Sequence, residues 1–147
     1  MSLKERLMND LKDAMKEKKQ LRKSVITMLR AAIKQVEVDN RIALDDEDII
    51  DIMSKQVKQK RDAIEEFAKG NREDLVNEAK EEIEILMEYL PRQLTENEIT
   101  QIVTQVIHEV GTNSPKDMGK VMSALQPRVK GRADGKLVNK IVKQFLQ

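Results

Sequence analysis

The carboxyl-terminal part of the chain concentrates cationic side chains of the kind that contact phosphate groups. From residue 112 onward it holds eight lysines and arginines but only two acidic residues. Lysine and arginine make most of the protein contacts to nucleic-acid phosphates. The last three of these lysines are spaced i, i+4 and i+7, so they share one helix face. The predicted nucleic-acid-binding residues are Lys120, Arg128, Lys130, Arg132, Lys136, Lys140 and Lys143.

Two interpretations of this basic segment stay open. An ordinary solvated helix face also carries lysines opposite its apolar side. Such faces usually mix charges of both signs, however, and here acidic residues are nearly absent. The loop at 128–135 (RVKGRADG) also leads into a helix N-terminus, where free backbone N–H groups could bind a phosphate.

The glycines of this loop do not form a nucleotide-binding P-loop. Three residues separate Gly131 from Gly135, where the P-loop pattern requires four. Leu137 follows Lys136 in place of the required serine or threonine. The pattern also requires a preceding strand, and none is predicted. We therefore expect backbone phosphates, and not a bound nucleotide, as the ligand of this loop.

No other residues form a catalytic or metal-binding constellation. His108 is the single histidine and there is no cysteine, so a zinc site has no ligand set. The acidic run at 45–48 lacks the alternating ligands and central glycine of a calcium loop. The five serines lie in no nucleophile motif. We predict no catalytic residue, no metal and no cofactor.

The scarcity of aromatic residues restricts the kind of nucleic acid. Aromatic residues make up 2% of the chain, too few for both a core and a base-stacking platform. A helix-turn-helix reader needs a turn of about three to four residues, whereas the predicted loop runs from about 126 to 134. These patterns favour recognition of a folded RNA by its phosphates and its shape.

Apolar periodicity of helical type predicts an all-α protein from end to end. Capping boxes begin helices at Ser2 (with Glu5) and at Thr95 (with Glu98), and Asp45 or Asp46 begins another. Further helices start at Ser114-Pro115 and at Asp134. The predicted helix ends are Asp39-Asn40, Gly70-Asn71 with the glycine in a left-handed conformation, Pro91, Gly111 and Pro127.

The segment PRQLT at 91–95 resembles a domain joint. We expect an N-terminal four-helix domain over 1–91 and a C-terminal three-helix domain over 92–147. Their charges differ: residues 37–90 hold 17 acidic and 8 basic residues. The chain has no apolar run long enough for a membrane span and no signal-peptide pattern, which predicts a cytoplasmic protein without a membrane partner.

Two stretches of the tail, 117–122 (DMGKVM) and 130–139 (KGRADGKLVN), carry a family resemblance. They resemble the GatB/YqeY family, whose tail domain closes the B subunit of the glutamine-dependent tRNA amidotransferase. The shared positions include four that we interpret as mainly structural. Gly119 would allow close helix packing, Gly131 a tight turn and Asp134 a helix cap, with Asn139 as the fourth motif residue.

The resemblance implies two all-helical subdomains and a tail that helps to hold tRNA. The family's activity class is carbon–nitrogen ligation with glutamine as amido-N-donor. The catalytic cradle of the B subunit is absent from these 147 residues, so we expect no catalysis by the chain alone. The leading hypothesis is a tRNA-binding accessory module. The alternatives are a protein-interaction module docking a translation-related partner through its acidic 37–90 region, and a true amidotransferase component.

Overall fold

A computed structural model describes residues 1–146 of the chain. Within that range every regular element is helical, which confirms the all-α prediction. A short 3-10 turn at Pro115–Asp117 precedes the sixth α-helix. The helices are α1 (Leu3–Lys16), α2 (Gln20–Asn40), α3 (Asp46–Lys69), α4 (Glu73–Met87), α5 (Glu96–Val110), α6 (Met118–Val129) and α7 (Gly135–Phe145).

The predicted helix starts are confirmed where a side chain caps the backbone. The side chains of Ser2 and Thr95 accept hydrogen bonds from the backbone N–H three residues later. The glutamate side chains at those later positions in turn accept from the backbone N–H of Ser2 and Thr95. Asp45 forms the same reciprocal pair with Asp48. Each box satisfies N–H groups that the first turn of a helix leaves without an intrahelical acceptor.

Several helix ends differ from the prediction. Gly70 has φ −86°, and Asn71 is the left-handed residue, with φ 57°. Helix α4 stops at Met87, because residues 88–90 form tighter i to i−3 bonds ahead of Pro91. Helix α6 continues through Pro127 to Val129. A proline in the last turn removes a single backbone bond, and the Lys130 N–H still bonds the Gln126 carbonyl at 3.0 Å.

Residue contacts divide the chain into two compact units, Met1–Leu90 and a second one from Pro91 on. In the first unit, helix α2 contacts the other three helices, and α3 and α4 form its most extensive pair. Fully buried aliphatic side chains from α1 to α4 form the core. Its largest members are Leu7, Ile26, Leu29, Ile49, Met53 and Leu86.

The second unit is a three-helix arrangement in which α5 contacts both α6 and α7. Its core consists of aliphatic side chains, including Val103, Val121, Leu125 and Ile141. Apolar periodicity predicted most of these positions. Three predicted apolar-face residues are instead largely exposed, at 44% to 62% of their surface: Met15, Met28 and Phe145.

Candidate nucleic-acid interface

Helix α7 positions three of the predicted cations. Val138, Ile141 and Val142 are buried and fix which side of the helix faces the core. The three lysines of α7 are exposed on the opposite side, as their spacing predicts. Within residues 1–146, Lys140 and Lys143 form no ion pair. Among the described residues, no carboxylate within salt-bridge distance of these two lysines neutralises the positive charge on this side of α7.

The loop before α7 is held by backbone contacts to the segment that opens the second unit. The Leu94 N–H donates to the Arg132 carbonyl at 2.8 Å. The side-chain amide of Gln93 donates to the Gly131 carbonyl, also at 2.8 Å. Gly131 has φ 71°, a conformation that suits glycine, so the predicted tight turn there is confirmed. These contacts fix the path of a loop that carries four of the basic or motif residues, Lys130, Gly131, Arg132 and Asp134.

The N-terminus of α7 carries an acidic cap, which makes it a poorer anion site than its free N–H groups alone would be. Asp134 caps the helix, as predicted, and its carboxylate accepts the backbone N–H of Lys136 at 3.1 Å. That carboxylate brings negative charge to the positive end of the helix dipole. A phosphate approaching this point would meet a carboxylate, so the side of α7 is the better place for it.

The remaining predicted cations differ in their surroundings. Lys120 on α6 and Lys130 in the loop are exposed. Arg132 is half-buried, and its Nε lies 3.4 Å from the Arg92 carbonyl, to which it donates. Arg128 donates to the carboxylate of Glu109 at 3.2 Å. Because α5 places an acidic residue beside Arg128, this cation is partly neutralised, which sequence spacing did not reveal.

The connection between α6 and α7 is shorter than predicted. It comprises residues 130–134, because α6 runs on to Val129. The five-residue connection is still longer than the turn of about three to four residues in a helix-turn-helix reader.

Two motif residues have surroundings that the sequence did not indicate. A Cβ added at Gly119 would meet no atom within 4 Å, so the expected close packing there is wrong. Asn139 is half-buried on α7, and its side-chain amide makes no hydrogen bond with any residue of 1–146. Because this amide has no hydrogen-bond partner among the described residues and is only half-buried, it is available to a ligand.

A bidentate ion pair braces the start of α5. The guanidinium of Arg92 donates to both carboxylate oxygens of Glu98, at 3.0 and 2.7 Å. This pairing, together with the Thr95 N–H of the capping box, lowers the pKa of Glu98 to about 2. The Arg92 guanidinium is thus paired with an acidic residue of α5.

Sequence reasoning missed a polar cluster in the first unit. Tyr89 is 4% exposed, and its hydroxyl donates to Asp10. The Arg6 guanidinium lies 4.6 Å from the centre of the tyrosine ring. Arg22 donates to Glu88 at 2.7 Å. Burial and the hydrogen bond to Asp10 raise the pKa of Tyr89 well above its usual value. Its members lie up to 83 residues apart, so no local motif marks them.

The acidic charge of the first unit is concentrated on α4. The outward side of α4 exposes four glutamates and one lysine, and Asp74 on the same helix is paired with Arg72. Inward, the carboxylate of Glu82 accepts from Lys60 of α3 at 2.9 Å. The exposed glutamates of α4 are Glu73, Glu78, Glu81 and Glu84.

Among residues 1–146, no three histidine, cysteine, aspartate or glutamate side chains lie close enough together to hold a metal ion. Across the same range, none of the helices combines the length and the apolar character that crossing a bilayer requires. His108 is exposed on α5.

Comparison with known proteins identifies relatives along almost the whole length. A Lachancea thermotolerans protein is 37% identical over 95% of this chain and 79% of its own length. A Kluyveromyces lactis protein is 38% identical, over 68% of this chain but only 58% of its own. A Saccharomyces cerevisiae protein is 29% identical over 95% and 80%, respectively.

All three relatives are named "Altered inheritance of mitochondria protein 41, mitochondrial". These names contradict the cytoplasmic location that was expected from the sequence. That expectation failed because composition carries no information on an organelle. The family model described as "Yqey-like protein" matches residues 4–146. Together with the tail motifs and the two helical units, that match assigns the chain to the YqeY family.

Proposed function

We propose that the protein binds folded RNA, with tRNA as the first candidate, and that it acts as an accessory module without catalysis of its own. The observation that carries the proposal is the exposed lysine side of α7, where Lys140 and Lys143 have no carboxylate partner among residues 1–146. Unneutralised lysines attract phosphates and release counterions on binding. The resemblance of the tail to the GatB/YqeY family supports the same assignment.

The basic surface is smaller than the sequence indicated. Arg128 is paired with Glu109, and the Asp134 carboxylate places negative charge at the N-terminus of α7. The strongest contributions are therefore expected from Lys140 and Lys143, with Lys120, Lys130 and Lys136 adding to them. Three to five phosphate contacts correspond to a slope of log affinity against log salt of about −2 to −4.

Charge reversal tests the proposal directly. The full chain is titrated against a fluorescent tRNA at several salt concentrations, with mitochondrial tRNAs included because the relatives are named mitochondrial. The Lys136→Glu/Lys140→Glu variant should lose affinity and flatten the salt slope by about 1.5 or more. The control variant, Lys55→Glu/Lys58→Glu, makes the same charge change on exposed positions of α3. Equal effects of the two variants would refute an interface on α7.

The acidic side of α4 favours a second candidate function. Its exposed glutamates form a negative strip that would suit a basic protein partner, such as a translation factor. A pull-down from nuclease-treated extract should then retain one discrete partner. Replacing Glu78 and Glu81 by lysine should release that partner while RNA binding stays unchanged.

The absence of catalysis is part of the proposal and has its own test. The tail resemblance covers the part of the amidotransferase B subunit that holds tRNA, and not its catalytic cradle. Purified protein supplied with Glu-tRNA(Gln), ATP and glutamine should form no Gln-tRNA. Product formation above a protein-free control would establish an amidotransferase and overturn this part of the proposal.

A further inference from the structure

Asn139 lies beside the lysine side of α7, between it and the buried side. With about 100° of rotation per residue, Lys136, Lys140 and Lys143 fall within about 60° of one another, and Asn139 lies about 40° beyond Lys143 in the direction of the buried Val142. Lys136 and Lys143 are separated by a rise of about 10.5 Å. The helix thus presents a row of cations with a hydrogen-bonding amide beside it.

The amide of Asn139 has no structural task within residues 1–146. It neither donates to nor accepts from any described residue, whereas the cap Asp134 and the loop-bracing Gln93 on the same unit are both engaged. An asparagine amide both donates and accepts, so it can contact a hydroxyl or a base edge. Lysine, in contrast, offers only donors and a charge.

The lysine side of α7 has no aromatic side chain beside it. Phe145 is the single aromatic residue of the second unit. It lies about 180° around α7 from Lys136. Unpaired bases are usually bound by stacking on aromatic rings, and this side of α7 offers none. A double-stranded segment presents phosphates and hydroxyls without requiring a stacking surface.

We propose that the exposed side of α7 binds double-stranded RNA across its shallow minor groove, and that Asn139 distinguishes RNA from DNA by a hydrogen bond to a ribose 2′-hydroxyl. This inference rests on the proposed RNA binding and deepens it. The lysines supply affinity for the phosphates of either nucleic acid. The 2′-hydroxyl is present in RNA alone, and A-form RNA displays it along the minor groove.

The test compares three probes of equal length: duplex RNA, duplex DNA of the same sequence and single-stranded RNA. The wild-type chain should bind duplex RNA more tightly than duplex DNA by about threefold to tenfold, the contribution expected from one hydrogen bond. Single-stranded RNA should bind more weakly than duplex RNA. Asn139→Ala should bring the ratio of RNA to DNA affinity close to one, with the salt slope unchanged.

Three variants separate this role from a structural one. Gln144→Ala removes another exposed amide of α7 and should leave the ratio unchanged. Lys140→Glu should weaken binding to both duplexes and flatten the salt slope. Asn139→Gln keeps the amide and should recover part of the preference for RNA. Circular dichroism melts of all variants establish that α7 remains folded.

The outcomes distinguish the two levels of the proposal. Failure of wild-type protein to bind any probe or tRNA at low salt would overturn RNA binding altogether. Binding of single-stranded RNA at least as tightly as duplex RNA would overturn the duplex assignment alone. An unchanged ratio in a folded Asn139→Ala variant would remove Asn139 from the specificity contact while RNA binding stands.

Discussion

Replacing Tyr89 by phenylalanine isolates one hydrogen bond of the polar cluster in the first unit. The hydroxyl of this buried tyrosine donates to Asp10, which joins the end of α4 to α1. Phenylalanine keeps the ring, so the stacking of the Arg6 guanidinium at 4.6 Å remains possible. The substitution therefore removes a donor and leaves the packing volume nearly unchanged.

The expected loss of stability follows from the surroundings of Asp10. A hydrogen bond to a charged group contributes about 1.5–3 kcal/mol. Asp10 is 25% exposed, and the Arg22 guanidinium lies 4.0 Å from its carboxylate. Water and Arg22 can partly replace the lost donor, so we expect a decrease of about 1–2 kcal/mol in the free energy of unfolding. For a unit of about 90 residues this lowers the melting temperature by about 4–16 °C.

Urea denaturation of the full chain, followed by circular dichroism, measures this loss. Hydrogen exchange of peptides from α1 and α4 shows whether it falls in the first unit, with α5 peptides as the internal control. A double-mutant cycle with Asp10→Ala should give a coupling energy of at least about 1 kcal/mol. A decrease below about 0.3 kcal/mol, or no coupling, would contradict the reasoning, because the contact would then contribute nothing beyond hydration.

Three further predictions concern the second unit. Asp134→Ser keeps a capping side chain but removes the negative charge, so stability should change by less than about 0.5 kcal/mol while tRNA affinity rises about twofold to fivefold in a binding titration. Arg92→Gln should raise the pKa of Glu98 from about 2 toward its ordinary value in an NMR carboxyl titration. Since the pKa of Glu98 is lower in the folded state than its ordinary value, the pair with Arg92 stabilises the protein above pH 4.5, and this stabilisation is lost as the pH falls to about 2. A stability difference between wild type and variant that grew on acidification would contradict this expectation. Leu125→Ala, at a fully buried position, should cost about 2–5 kcal/mol and unfold this small unit first, with rapid hydrogen exchange in α5 to α7 as the readout.

The helix starts were predictable because their signals are local. A capping side chain and its N–H partner lie three residues apart, as for Thr95 and Glu98, so the pattern is complete within one turn. The apolar stripes likewise predicted most of the core, since burial follows the helical period. The left-handed Gly111 and Gly131 were predictable for the same reason, because a side chain disfavours that conformation at the position itself.

The helix ends were less predictable because competing local signals decide them. Asn71, and not Gly70, adopts the left-handed conformation, and both residue types tolerate it. The prediction ended α6 too early, at Pro127. The helix continues to Val129 because a proline in the final turn removes only one backbone hydrogen bond. That error made the predicted loop longer than the observed connection at residues 130–134.

The amino-acid order determined the helical period, the caps and the three lysines on one side of α7, because each depends on spacings of seven residues or fewer. Tertiary packing decided which cations remain available: it placed Glu109 of α5 beside Arg128 of α6 and left Lys140 and Lys143 unpaired within residues 1–146. It also joined Tyr89 to Asp10 across 79 residues. Such pairings depend on how the helices pack against each other, and the separation of two residues in the sequence does not give the distance between their side chains.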